Sequence, residues 1–104
     1  MKITYSSNKL EKILTTPKLL KRYYSNDYTR LRNRLSELSA ADSLADIPAT
    51  PPPRRHKLNG DLSDRWGIDY SANDRIIVCP VGDFDVNDLS TITEIKILSL
   101  EDYH

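Results

Sequence analysis

The chain has 104 residues, 38% of them hydrophobic and 29% charged, with one cysteine, so a single domain with a modest core is expected and an internal disulfide is excluded. No apolar run approaches the ~20 residues that span a bilayer, and Met1–Asn8 holds no apolar signal core, which makes the cytoplasm the expected location. The formal net charge of zero hides a division: residues 1–58 carry twelve Lys/Arg against five Asp/Glu (+7), and residues 59–104 carry three against ten (−7). Such a chain either shows a polyanion its basic side and a basic partner its acidic side, or folds into two solvated faces that attract each other.

In chain order, Lys2–Tyr5 alternates as a short strand does. Ser6, Ser7 and Asn8 offer a helix N-cap, followed by Leu10, Ile13 and Leu14 at helical spacing. Pro17 either interrupts that helix or starts its second piece, which carries Leu19, Leu20, Tyr23 and Tyr24. Residues 26–41 read as the next helix, with Tyr28, Leu31, Leu35 and Leu38 on one apolar stripe and Arg30, Arg34 and Glu37 on the solvent side. Ile47–Pro53 contains four prolines and is neither helical nor central in a sheet, so it serves as a stiff connector delivering Arg54–Lys57 to a fixed place. Beyond it the period becomes two. Trp66, Ile68 and Tyr70 point one way, and Ala72-Asn73 makes a turn into the strand Arg75–Pro80. Gly82–Asp88 reads as a loop with a short pairing at Phe84 and Val86, and Ile92–Leu100 as a last strand with Ile95 and Ile97 facing the core. The expected class is α+β, in the order β-α-α-β-β-β: one domain over 1–104, with two N-terminal helices packed on a small, mainly antiparallel sheet.

Two histidines stand out. His56 lies in the polar run Arg54-Arg55-His56-Lys57-Leu58-Asn59-Gly60-Asp61, and His104 ends the chain after Asp102-Tyr103. Imidazole moves protons near neutral pH, so joining these segments would build an acid–base site flanked by positive charge. The lone Cys79 provides no zinc set, and neither a metal nor another cofactor is expected. A phosphodiester suits such a site.

The order of elements and several words within it resemble the RelE/ParE toxin superfamily, and within it the HigB, or plasmid maintenance killer, branch of type II toxin–antitoxin systems. The words are Ala40-Ala41-Asp42-Ser43-Leu44, Leu58-Asn59-Gly60-Asp61-Leu62, Trp66-Gly67-Ile68, Asn73-Asp74, Arg75-Ile76-Ile77 and the terminal Asp102-Tyr103-His104. The resemblance implies a ribosome-dependent endoribonuclease that cuts mRNA in the A site. It also implies a helix-turn-helix, HigA-like antitoxin as partner and operator DNA contacted through their complex, with no membrane involved. It makes His56 and His104 the proton-transfer pair, in either order. Asp102 then orients an imidazole or holds the 2′-hydroxyl, and Tyr103 stacks on a base or binds the phosphate. Lys57 and Arg75 are the expected phosphate ligands, although Lys57 can equally neutralise Asp61. Arg54 and Arg55 track the RNA backbone or meet an acidic antitoxin segment. The chain departs from the pattern at Asn59 and at Cys79-Pro80, where relatives carry cations. Two non-catalytic alternatives share the fold: an inhibitor of DNA gyrase, and a degenerate toxin that acts only as antitoxin partner and co-repressor.

Overall fold

The computed structural model describes residues 1–60 and 64–102. Strand β1 (Lys2–Tyr5) leads into α1 (Asn8–Thr15), α2 (Pro17–Tyr23) and α3 (Tyr28–Ala40). Four further strands follow: β2 (His56–Lys57), β3 (Trp66–Asp69), β4 (Asp74–Pro80) and β5 (Glu94–Asp102). The sheet order is β1-β5-β4-β3-β2, with β1 parallel to β5 and every other pair antiparallel. The α+β class is as expected, but the described residues form three α-helices and five strands where the sequence predicts two helices and four strands.

The extra helix comes from Pro17. The residue before a proline is driven to extended angles, and Thr16 takes φ −110° and ψ 108°, so α1 stops there and Pro17 opens α2. Ser7 caps α1 by accepting a hydrogen bond from Leu10 N at 3.1 Å. The extra strand is β2, only two residues long, which pairs His56 with Gly67 and Lys57 with Trp66. A run that short has no period to read.

All three helices pack on one face of the sheet. Ile13, Leu14, Leu20, Leu31 and Leu38 meet Trp66, Ile68, Ile76, Val78, Ile95 and Ile97 in one buried cluster. Burying each such side chain stabilises the fold by about 1.5–3 kcal/mol, which makes this layer the main source of stability. Among the described residues, no helix is long and apolar enough to cross a membrane.

Two local expectations fail. Arg34 is buried, at 7% exposure, and is not on the solvent side. It stands three residues after Leu31, only about 60° round the helix, so it borders the apolar stripe and needs partners there. It finds them: its Nε donates to Asp69 O at 2.7 Å, and its Nη1 pairs with Glu37 Oε1 at 2.7 Å. In the β4–β5 loop, the bridge joins Asp85 to Asp88, while Phe84 and Val86 are exposed. Thr91 explains the shift, because its Oγ1 accepts from Asp85 N at 2.8 Å and donates to Asp88 O at 2.6 Å, closing the loop through polar atoms.

Candidate active site

The site grows from the end of the proline connector. Arg54 adopts a left-handed conformation (φ 41°), which a non-glycine residue keeps only when its surroundings hold it. Asp69 holds it. The buried Asp69 carboxylate accepts from Arg54 Nε at 2.7 Å, and Asp69 N donates to Pro53 O at 2.7 Å. In this turn the Arg54 carbonyl lies 2.7 Å from His56 Nδ1. A carbonyl only accepts, so Nδ1 carries the proton and the neutral ring has its lone pair on Nε2. The tautomer suited to take a proton through Nε2 is thereby selected by the backbone.

The imidazole lies on a glycine. A methyl group at residue 67 would sit 2.8 Å from His56 Cε1, 2.9 Å from His56 Nε2 and 3.3 Å from Arg75 Cδ. Only a residue without a side chain lets the ring settle so close to the sheet. The same distances put the His56 ring and the Arg75 stem side by side over β3. Strand register carries this face onward: Gly67 pairs with Ile77, Ile77 with Ser99, and Cys79 with Lys96. This face lies opposite the helices.

Lys96 was missed in the sequence. The cation absent at Cys79 stands directly across from it on β5, where the Lys96 charge lowers the Cys79 pKa while burial, the larger effect, raises it. Only the register reveals this, because Lys96 sits in an alternating strand with nothing locally to mark it. Arg65, half-buried and just before β3, also stands near Cys79, but it is paired with Asp64 at 3.7 Å, whose charge acts on Cys79 more strongly and in the opposite sense.

The other predicted residues are not gathered here. Lys57 follows His56 along the strand and is paired with Trp66, so alternation sends it to the opposite face. Arg55 braces the scaffold. Its Nε donates to Ile47 O at 2.7 Å, its guanidinium lies 5.5 Å from the Trp66 ring centroid, and burial lowers its pKa. Arg54 acts through its carbonyl and its ion pair with Asp69. Asp102 pairs in register with Asp74, one position along from the Arg75–Glu101 pair, and so emerges on the face opposite Arg75. Tyr103, His104 and Asp61 lie outside the described residues.

Asp102 does take part in a second polar cluster. The Asp74 pKa is raised above its ordinary 3.8, chiefly by a side-chain hydrogen bond with Asp102, while a hydrogen bond from Ser71 opposes the rise. Nearby Tyr70 is also pushed up, by burial first and then by the Asp74 charge. A carboxyl raised on folding adds stability below its unfolded pKa, and that stability is lost as pH climbs through the folded value. Carboxyl carbon NMR titration should therefore find the Asp74 midpoint above 3.8. In Asp102→Ala the midpoint should fall; an unchanged midpoint would break the link between the two carboxyls.

Among the described residues, no three His, Cys, Asp or Glu side chains are grouped to hold a metal ion. No protein-family model matches the sequence, and no curated protein matches it. In structure, the chain is similar to a YoeB/ParE toxin from Agrobacterium tumefaciens, with a TM-score of 0.60 and 10% identity over 100% of both chains. At that identity the agreement is one of fold, and over its whole length the chain has the fold of that toxin.

Proposed function

We propose that the chain is the toxin of a type II toxin–antitoxin system, of the HigB-like branch, and that it cleaves mRNA on the ribosome without a metal. The observation that carries this reading is the His56 ring, fixed as the Nδ1–H tautomer by the Arg54 carbonyl and laid beside Arg75 over Gly67. A gyrase inhibitor or an inert partner has no need of an imidazole held in one tautomer.

In the proposed reaction the 2′-hydroxyl attacks the adjacent phosphorus and the 5′-oxygen leaves, giving a 2′,3′-cyclic phosphate or a 3′-phosphate. His56 Nε2 either takes the 2′-hydroxyl proton or, as imidazolium, protonates the leaving oxygen, and His104 performs the other transfer. Arg75 binds the phosphoryl oxygens as charge builds on them, with Lys96 adding positive potential along the same face. Asp102 acts through the terminal segment it leads into, because the register turns it towards Asp74 and away from Arg75. The partners are a helix-turn-helix, HigA-like antitoxin, the ribosome with its mRNA, and operator DNA reached through the toxin–antitoxin complex. The location is cytoplasmic.

Induced expression without the antitoxin tests this directly. Growth should stop with the wild-type chain and continue with His56→Ala and with His104→Ala, each at equal protein levels. Arrest by all three would remove both histidines and turn the reading to a non-catalytic inhibitor.

A further inference from the structure

Helices α1, α2 and α3 cover the face of the sheet opposite His56, and they are strongly basic. Residues 8–40 hold eight Lys/Arg against three Asp/Glu. Two of the cations are committed, Arg30 to Asp27 at 2.6 Å and Arg34 to Glu37 at 2.7 Å. Lys9, Lys12, Lys18, Lys21, Arg22 and Arg32 remain, all exposed and in no ion pair with a described residue, against Glu11 alone. Lys18, Lys21 and Arg22 stand at i, i+3 and i+4 of α2, so three like charges share one exposed face of a short helix and repel one another. An anionic partner relieves such repulsion.

Between α2 and α3 lies a cleft of about 510 Å³. Its α3 wall runs from Tyr28 to Ala40, the first and last residues of that helix, so it extends roughly 18 Å at 1.5 Å per residue. Leu14 and Leu20 form the floor, while Tyr5, Tyr28 and Leu35, only part-buried, turn apolar surface towards it. Arg32 stands in the α3 wall with its guanidinium 5.6 Å from the Tyr28 ring centroid. Across from it, Lys21 follows the lining Pro17 by one turn of α2. Glu37 is about 140° round α3 from Arg32 and does not line the cleft.

This combination selects its occupant. A nucleic-acid backbone would use the cations and leave the apolar floor idle, and a small solute would fill only part of the length. An amphipathic helix of about three turns uses everything: apolar residues at i, i+3, i+4 and i+7 lie along the floor, and carboxylates beside them meet Arg32 and the α2 cations. The acidic segment Gly82–Asp88 of a second copy is no substitute, because Thr91 ties it into a closed, non-helical loop.

We propose that this cleft docks an acidic amphipathic helix of a partner protein. Groove and imidazole lie on opposite sides of the sheet, so the docked helix leaves His56 and Arg75 open. The docking goes beyond the ribonuclease reading and does not depend on it.

The test is a nitrogen-15 NMR titration of the full chain with a peptide of about four helical turns, carrying Leu at i, i+3, i+4 and i+7 and Glu elsewhere. The same peptide with Lys in place of Glu, and a short RNA duplex, are titrated in parallel. Saturable shifts are expected in amides of residues 14–21 and 28–40 with the acidic peptide and not with its Lys counterpart. Arg32→Glu and Lys21→Glu should each weaken binding about tenfold. Ser36→Trp fills the groove without changing its charge and should weaken binding as much; all three replace exposed side chains, so native spectra are expected. Phe84→Ser, in the β4–β5 loop, should bind as wild type does. Equal binding of both peptides, shifts confined to β2 and β4, or tighter binding of RNA than of the acidic peptide would each overturn the proposal. So would shifts of the same amides with protein concentration alone, which would mark a second copy as the occupant, or groove variants that bind as wild type. Binding is read without any cleavage, so its failure is distinguishable from failure of the ribonuclease reading.

Discussion

Gly67→Ala is expected to lower RNA cleavage about 100-fold, the lower end of what a positioned proton-transfer group contributes, while the protein stays folded. The added methyl would stand 2.8 Å and 2.9 Å from two atoms of the His56 ring, closer than carbon atoms approach without something moving. Gly67 does not have a positive φ, so alanine brings no backbone strain there. The ring is the part that gives way, because His56 is only half-buried and solvent is open to it. Swinging out, it leaves the Arg54 carbonyl and its place beside Arg75. Overpacking in a closed core costs about 1–3 kcal/mol; here, with an exit, the loss of stability should fall at or below the bottom of that range. Cleavage rates measured beside a thermal melt separate the two effects. A folded Gly67→Ala protein with full activity would show that the placement of the imidazole does not matter.

Asp69→Ala is expected to carry the largest stability cost of any polar substitution near the site, about 2 kcal/mol. Removing one partner of a buried ion pair typically costs about 3–5 kcal/mol, and the figure is reduced here because the Arg54 side chain is 40% exposed and water screens it. Asp69 also anchors the connector through Pro53 and receives Arg34 on its carbonyl; those two bonds use the backbone and survive the substitution. The melting temperature should drop by roughly 10 °C, given about 4–8 °C per kcal/mol for a domain of this size. Asp69→Asn keeps an acceptor for Arg54 and should lose about half as much. Cleavage by Asp69→Ala should fall further than its folded fraction explains, since Arg54 would no longer be held at φ 41° with its carbonyl on His56. A melt within 2 °C of wild type, well inside the drop that even 1 kcal/mol would produce, would remove Asp69 from the support of this turn.

Much of the fold was legible because its core repeats. Leu31 and Leu38 recur at helical spacing, and Trp66, Ile68 and Tyr70 alternate; all five are buried. Periodicity reports which face is apolar, and burial enforces it. Arg34 is not legible that way, because a charged residue in a helix pattern implies exposure, whereas its position beside Leu31 puts it at the rim of the core with acceptors in reach. Of the site, His56 and Arg75 were legible by chemical type, and Gly67 only as part of a familiar word. The face each residue occupies was not legible. Lys57 and His56 are neighbours in sequence and leave the strand in opposite directions, and Asp102 turns to Asp74 by register. Lys96 opposite Cys79 depends on the pairing of β4 with β5 and on the register shift at Ile77/Val78, a long-range property that no local pattern encodes.

The most direct measurement is primer-extension mapping of mRNA 5′ ends in a reconstituted translation reaction, with wild-type protein beside His56→Ala. New ends within A-site codons, present only on translated message and only with wild type, are the predicted result. Equal cutting by folded His56→Ala, or no cutting by wild type, would contradict a ribonuclease built on the imidazole over Gly67.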